Sequence, residues 1–231
     1  MVDPPDTRTS KPKSDSYAYK KQFYRDPDVA AHYDAERFAG RSKKRRNRRK
    51  WATIQRALAE TDGVRLILDM PCGTGRFTGH LIGEGYSVVG SDIAFEMMRM
   101  AQDDPGAAPG LQGYVQAEAE NLPFRDRAFD CVVSIRFLLH VDPSTRIAML
   151  REMVRIARWL VVDYRHKYSY HYARWRVRRA LGLTDRPFPR VSRRQLEEEL
   201  RQAGVVLKRI HPVARIFSDK WIILAEARHP D

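Results

Sequence analysis

The chain has 231 residues, 43% of them hydrophobic, which is enough for one sizeable α/β core. Its formal net charge of +13 at pH 7 points to an anionic partner (nucleic acid, an anionic lipid surface or an acidic small molecule) and says nothing of fold. Cys72 and Cys131 read as reduced thiols, no apolar run approaches the ~18 residues of a bilayer span, and the N-terminus has no apolar signal-peptide core, so a cytoplasmic location is the expectation.

Residues 1–16 carry Pro, Ser, Thr, Lys and Asp and read as a disordered tail. Residues 17–60 read as a basic helical extension. Pro27 suits the first position of a helix, with Val29, Tyr33 and Phe38 on one face. Eight of the ten residues Arg41 to Lys50 are basic, and Trp51, Ile54 and Leu58 follow at helical spacing. One reading is a helix with a solvated basic start. The other is a functional use, because like charges held together repel and cost folding energy.

From residue 61 the pattern alternates. Strands are predicted over 64–69, 87–91, 112–116, 129–135 and 159–163, and helices over 76–84, 94–102 and 143–158. The run DDPGAAPG (103–110) marks a surface loop. Such alternation predicts a mostly parallel sheet covered on both faces. Residues 164–194 then hold ten Arg or Lys and six aromatics, as a basic insertion. A helix over 170–181 ends at Gly182, and another follows Ser192 as N-cap and runs to Ala203-Gly204. Two further strands are predicted over 205–210 and 217–225.

The stretch Val64–Phe77 organises the rest. An apolar strand ends in Asp69, then Pro71, Gly73 and Gly75 make a turn, and a helix follows. Glycines allow close backbone approach, and a helix N-terminus offers free N–H groups. Asp69, Asp92 and Glu118 follow three successive strands. A loop built for pyrophosphate gains nothing from an acid at its mouth. A cationic nucleoside with a ribose does.

The blocks LDMPCGTGRF (68–77), VVGSDIAFEMMRMA (88–101), AEAENLPFRDRAFDCVVS (117–134) and LLHV (138–141) resemble, in order and spacing, class I S-adenosylmethionine-dependent methyltransferases. The nearest likeness is to the small bacterial type 11 group that includes quinone methyltransferases. It covers roughly 30–162 well and the C-terminal third loosely. The resemblance implies an α/β, Rossmann-like, seven-stranded sheet closed by an antiparallel pair. It implies S-adenosylmethionine as cofactor and S-adenosylhomocysteine as product. It also implies that AAHYDAERF (30–38) closes over the pocket.

By the same resemblance Gly73, Thr74 and Gly75 carry the methionine end, and Asp69 faces the amino group. Asp92 takes the ribose hydroxyls, or else caps the helix after it. Glu118 stands where the family has Asp, toward the adenine amino group, and Ala119 offers its N–H to the ring. Ile93 and Met97 pack on the adenine or in the core. Ser134 and Arg136 lie near the methyl group, and Arg136 binds an anionic acceptor or is a solvated rim charge. His140 is the best single candidate for a general base, or it packs beside the cofactor. Tyr164, His166 and His171 are placed past the fifth strand, on the acceptor side. No histidine has metal-ligand spacing, so no metal is predicted.

The expected activity is methyl transfer to a small or lipid-linked acceptor, anionic or aromatic. The alternatives are an RNA methyltransferase and a non-catalytic module that binds nucleic acid or an anionic membrane surface. Nucleic acid would contact 41–50 and 164–194. Peripheral membrane contact is the other partner considered for these stretches, and arginine used wherever a solvated residue serves is the plain alternative. The sequence gives no oligomeric state. The N/D-P-P-[YFW] signature of amino-methylating enzymes is absent, since the chain reads Ser134-Ile-Arg-Phe at that place.

Overall fold

Leu66–Asp69 (β1) lies inside a seven-stranded sheet of order β3-β2-β1-β4-β5-β7-β6. The computed structural model describes residues 41–102, 109–184, 190–214 and 218–228. The predicted tail over 1–16 and the helix after Pro27 lie outside these residues.

The other strands are β2 (Ser87–Asp92), β3 (Leu111–Gln116), β4 (Phe129–Ser134), β5 (Ala157–Arg165), β6 (Val205–Pro212) and β7 (Lys220–Ala227). The helices are α1 (Arg41–Leu58), α2 (Arg76–Gly83), α3 (Phe95–Gln102), α4 (Pro143–Ile156), α5 (Tyr170–Ala180) and α6 (Arg193–Gln202). A 3-10 turn spans Leu138–His140. Strands β1 to β5 pair in parallel, and β7 runs antiparallel to both β5 and β6. The expected mostly parallel, Rossmann-like sheet is what is observed. β1 and β2 leave one way and β4 and β5 the other, so a switch point opens at the carboxyl ends of β1 and β4.

The central strands β1, β4 and β5 are largely apolar on both faces because helices cover both. Trp159 and Val161 join Ile54, Ala57 and Leu58 of α1 in one core. Leu160, Val162 and Tyr164 point the other way and join Met149 and Met153 of α4 and Leu196 of α6. Caps set the helix starts. The Asp142 carboxylate accepts from Thr145 N at 3.2 Å, with Pro143 at the first position of α4. Ser192 and Gln195 form a capping box at α6, as the predicted N-cap requires.

α1 is a layer of this fold and is continuous through the basic run. Midway along it, Lys50 reaches Asp163 near the carboxyl end of β5. Just past its C-terminal end, Glu60 pairs with Arg209, and Asp62 with Arg158 at the start of β5. The helix therefore runs antiparallel to the parallel strands. Residues 41–49 rise past Lys50 by roughly 13 Å at 1.5 Å per residue, beyond the carboxyl edge of the sheet. The sequence treats 17–60 as an extension; in the structure its last turns, from Lys50, form one wall of the core.

Two boundaries shift for physical reasons. β1 begins at Leu66, not 64, because the N–H groups of Arg65 and Leu66 are both taken by Asp130 Oδ2 (2.9 and 2.8 Å). β5 runs two residues past the predicted end, because β7 pairs with it through Tyr164↔Trp221 and Arg165↔Lys220. Tyr164 is therefore a strand residue and not part of the insertion. The last two strands are adjacent and antiparallel as expected, with β7 inside and β6 at the edge.

Candidate active site at the carboxyl edge of the sheet

β1 ends in Asp69, and Cys72–Gly75 turns the chain into α2. Gly73 and Gly75 have φ of 55° and 77°, a left-handed backbone that glycine adopts without a Cβ penalty. The two have different surroundings. A Cβ on Gly75 would lie 2.8 Å from Ala101 Cβ of α3, so this glycine permits close packing. A Cβ on Gly73 would meet nothing within 4 Å, so its backbone borders open space.

Asp92 ends β2 beside that turn. Its Oδ2 accepts from Gly73 N at 2.8 Å and its Oδ1 from Ala94 N at 3.0 Å. Burial holds the carboxyl above its ordinary value, and the N–H groups of Ala94, Gly73 and Ile93 offset only part of that rise. A carboxylate accepts about four hydrogen bonds, so three N–H donors leave Asp92 capacity for a further hydroxyl. Of the two sequence readings of Asp92, the cap is the one observed, since its Oδ1 accepts from Ala94 N just ahead of α3.

Asp69 is 1% exposed and accepts from Thr78 Oγ1 of α2 at 2.7 Å. Burial, and then the nearby charge of Asp92, push its carboxyl up to about 7 against the pull of the Thr78 hydroxyl. The nearest partner of this acid is thus the chain's own helix. Ile93 is partly exposed beside Asp92, while Met97 is buried under α3. Glu118 is exposed in a tight turn just past β3, with Asn121 N donating to its carbonyl at 3.1 Å, and Ala119 is buried beside it. Ser134, at the end of β4, is fully buried, and its hydroxyl has no partner among the described residues; the same holds for Ser91 at the end of β2.

Past β4 the chain is strained. Arg136 has φ of 69°, which costs a bulky L residue on the order of 1–3 kcal/mol. Asp163 Oδ1 holds it there by accepting from Arg136 N at 2.6 Å. The other oxygen of Asp163 meets Lys50 Nζ at 2.8 Å, both side chains being out of solvent. Burial alone would raise the Asp163 carboxyl, but the Lys50 ammonium and the Arg136 N–H outweigh it and hold it below its ordinary value. Lys220, opposite Arg165 in the register, is pushed down to about 7, first by burial and then by the charge of Lys50. Arg190 pairs with Asp219 close by. His140 sits on the 3-10 turn, which Arg146 ties down by donating to the carbonyls of Leu138 (3.2 Å) and Val141 (3.0 Å) while forking onto Glu199.

Tyr164 does not join this group. It is 1% exposed on the opposite face of β5, beneath the Arg146 guanidinium, because strand alternation turns it away from Asp163. His166 is also buried, stacked on Trp221 at 4.4 Å. His171 lies exposed on α5. Among the described residues no cluster of His, Cys, Asp and Glu could hold a metal.

Sequence reasoning missed Lys50, Asp163 and Lys220. One signal was present: a lone acid in the apolar run Trp159–Tyr164 demands a buried partner.

The crevice fits an adenosyl ligand. The backbone at Gly73 borders open space, Asp92 has unused acceptor capacity beside it, and two buried hydroxyls at the same edge have no partner among the described residues. A methyltransferase-domain family profile matches residues 67–159. A ubiquinone/menaquinone biosynthesis C-methyltransferase of Pseudomonas fluorescens is 36% identical over 122 residues, covering 48% of this chain and 47% of that protein. The chain thus spans about half the length of the curated relatives it matches. A magnesium protoporphyrin IX methyltransferase of Synechocystis, solved with bound S-adenosylhomocysteine, superposes with a TM-score of 0.68 at 18% identity, over 91% of this chain and 98% of that one. An S-adenosylmethionine-dependent methyltransferase of Methanosarcina mazei gives 0.61 at 21% identity, over 75% and 97%. These two share the fold. Residues 67–159 thus match a methyltransferase domain, within a chain that has the fold of class I, S-adenosylmethionine-dependent methyltransferases.

Proposed function

We propose that the chain transfers a methyl group from S-adenosylmethionine to a small or lipid-linked acceptor that is anionic or aromatic. The observation that carries this is the coupling of Asp92 to Gly73 across the ends of β1 and β2. One carboxylate both shapes the glycine turn and keeps capacity for a ribose hydroxyl. Gly73, Thr74 and Gly75 would hold the amino-acid end, Asp92 the ribose, and Ile93 with the turn at Glu118 and Ala119 the base.

S-Adenosylmethionine supplies a methyl already activated by a sulfonium charge. What the protein adds is alignment. The strained turn at Arg136 and the 3-10 turn carrying His140 stand past β4, where an acceptor would enter. His140 is the candidate to take a proton from a hydroxyl or acidic C–H acceptor. Lys220, brought to about 7, is a second group able to exchange a proton near neutrality. Lys50, Arg136, Arg165 and Lys220 against Asp163 give this side a cationic excess, which favours an anionic acceptor.

A second reading, RNA as acceptor, draws on the basic residues of α1 that project past the same edge. Calorimetric titration with S-adenosylhomocysteine tests the shared core of both. Micromolar binding that Asp92→Ala loses supports it, and no binding by the wild type rejects it. Release of S-adenosylhomocysteine with carboxylated aromatics, lipid extract or structured RNA then separates the acceptors.

A further inference from the structure

α5 has no buried residue, which is unusual for a helix of eleven residues that follows directly on a core strand. Seven large apolar side chains stand exposed among the described residues, and five of them fall between 168 and 183: Tyr168, Tyr170, Val177, Leu181 and Leu183. The spacing makes a surface of them. Tyr170, Ala173, Val177 and Leu181 follow at intervals of three, four and four, so they form one stripe along the helix. Val177 is 60% exposed and Leu181 66%. Arg174 and Arg178 border the stripe on one side and Arg176 on the other, all exposed. No acidic residue occurs between Asp163 and Asp185.

We infer that α5 is a membrane-docking helix: its Tyr170–Val177–Leu181 stripe enters the headgroup–acyl boundary of an anionic bilayer while its arginines meet lipid phosphates. Aliphatic side chains with guanidinium groups on both flanks and no acids suit that boundary, where the arginine stems lie along apolar surface and their heads stay wet. The same face suits nucleic acid poorly. Val177 and Leu181 cannot stack on bases, and the aromatics that could, Tyr172 and Trp175, stack on each other at 5.5 Å with Arg179 over the indole. The placement is also coherent. Ser169 caps α5 a few residues after β5 ends, so the stripe stands at the carboxyl edge of the sheet, where the crevice opens and the basic start of α1 projects. Docking there would bring the crevice to the bilayer surface.

The test is co-sedimentation of the full chain with vesicles of phosphatidylcholine plus phosphatidylglycerol, against phosphatidylcholine alone, for wild type and Val177→Glu/Leu181→Glu. Both positions are exposed, so the variant should keep the wild-type melting temperature and affinity for S-adenosylhomocysteine. The expected result is binding that needs the anionic lipid and falls about tenfold or more in the variant. Two results overturn the inference. One is a variant that binds like wild type, which would reduce the effect to bulk charge. The other is a wild type that ignores the anionic vesicles, including the case where it binds structured RNA instead and the variant does too.

Discussion

Lys50 Nζ lies 2.8 Å from Asp163 Oδ2 across 113 residues of sequence, and neither side chain reaches solvent. The pair joins α1 to the end of β5, and the same carboxylate holds the left-handed backbone of Arg136. Removing one partner of a buried pair strands the other charge, so Lys50→Met should cost about 3–5 kcal/mol in urea unfolding. Lys50→Met/Asp163→Asn keeps an acceptor for Arg136 N and removes the stranded charge. It should be more stable than Lys50→Met alone, and equal or lower stability would show that the pair is not held as ions.

Asp92→Ala should weaken S-adenosylhomocysteine by about a hundredfold, or 2–3 kcal/mol, the scale of hydrogen bonds to a charged acceptor. Asp92→Asn keeps the shape and one acceptor oxygen and should fall between. Calorimetry reads both, and unchanged affinity in the alanine variant would remove Asp92 from the site.

The glycines separate stability from binding. At Gly90 a Cβ would lie 2.4 Å from the Tyr114 ring, so Gly90→Ala should cost about 1–3 kcal/mol in stability through overpacking. At Gly73 a Cβ meets open space and only the left-handed backbone resists it. Gly73→Ala should cost about 1–2 kcal/mol in stability and lose ligand affinity disproportionately. Thermal melts and titrations on the two variants should therefore rank them in opposite orders.

The contribution of Asp69 to stability should fall as pH rises from 4 to 7. Asp69 is raised from 3.8 to about 7, so the folded state keeps a proton that the unfolded state has released across that window. The full effect is on the order of 4 kcal/mol. Lys220 is lowered from 10.5 to about 7, so it makes stability rise with pH only above that value. Asp69→Asn should flatten the slope between pH 4 and 7 in urea titrations and leave the alkaline limb in place. An unchanged acid limb would assign the slope elsewhere.

The site was legible where it is local. Asp69, Gly73, Gly75 and Asp92 follow strand ends within one βαβ unit, so apolar runs and glycines were enough to place them. Residues whose position depends on distant pairing were not legible. Tyr164 was misplaced because the length of β5 is set by its register with β7, beginning at Lys220. Lys50 looked like the last of a solvated run, and only the approach of Asp163 from the far end of the chain makes it a core residue. The stripe on α5 was hidden differently, since composition showed its arginines and aromatics but not which side the body leaves bare.

β7 sits between β5 and β6 and pairs with both. During translation, β5 therefore emerges with one edge unpaired, and the strand that covers it follows only after residues 166–219. Throughout that interval Leu160–Val162 presents open N–H and C=O groups on an apolar strand, the kind of edge that recruits other chains. For the nascent polypeptide, solubility thus depends on how quickly the ribosome reaches Lys220–Ala227. A chain truncated before Lys220 should therefore aggregate more than the full chain, as read by the pelleted fraction after synthesis.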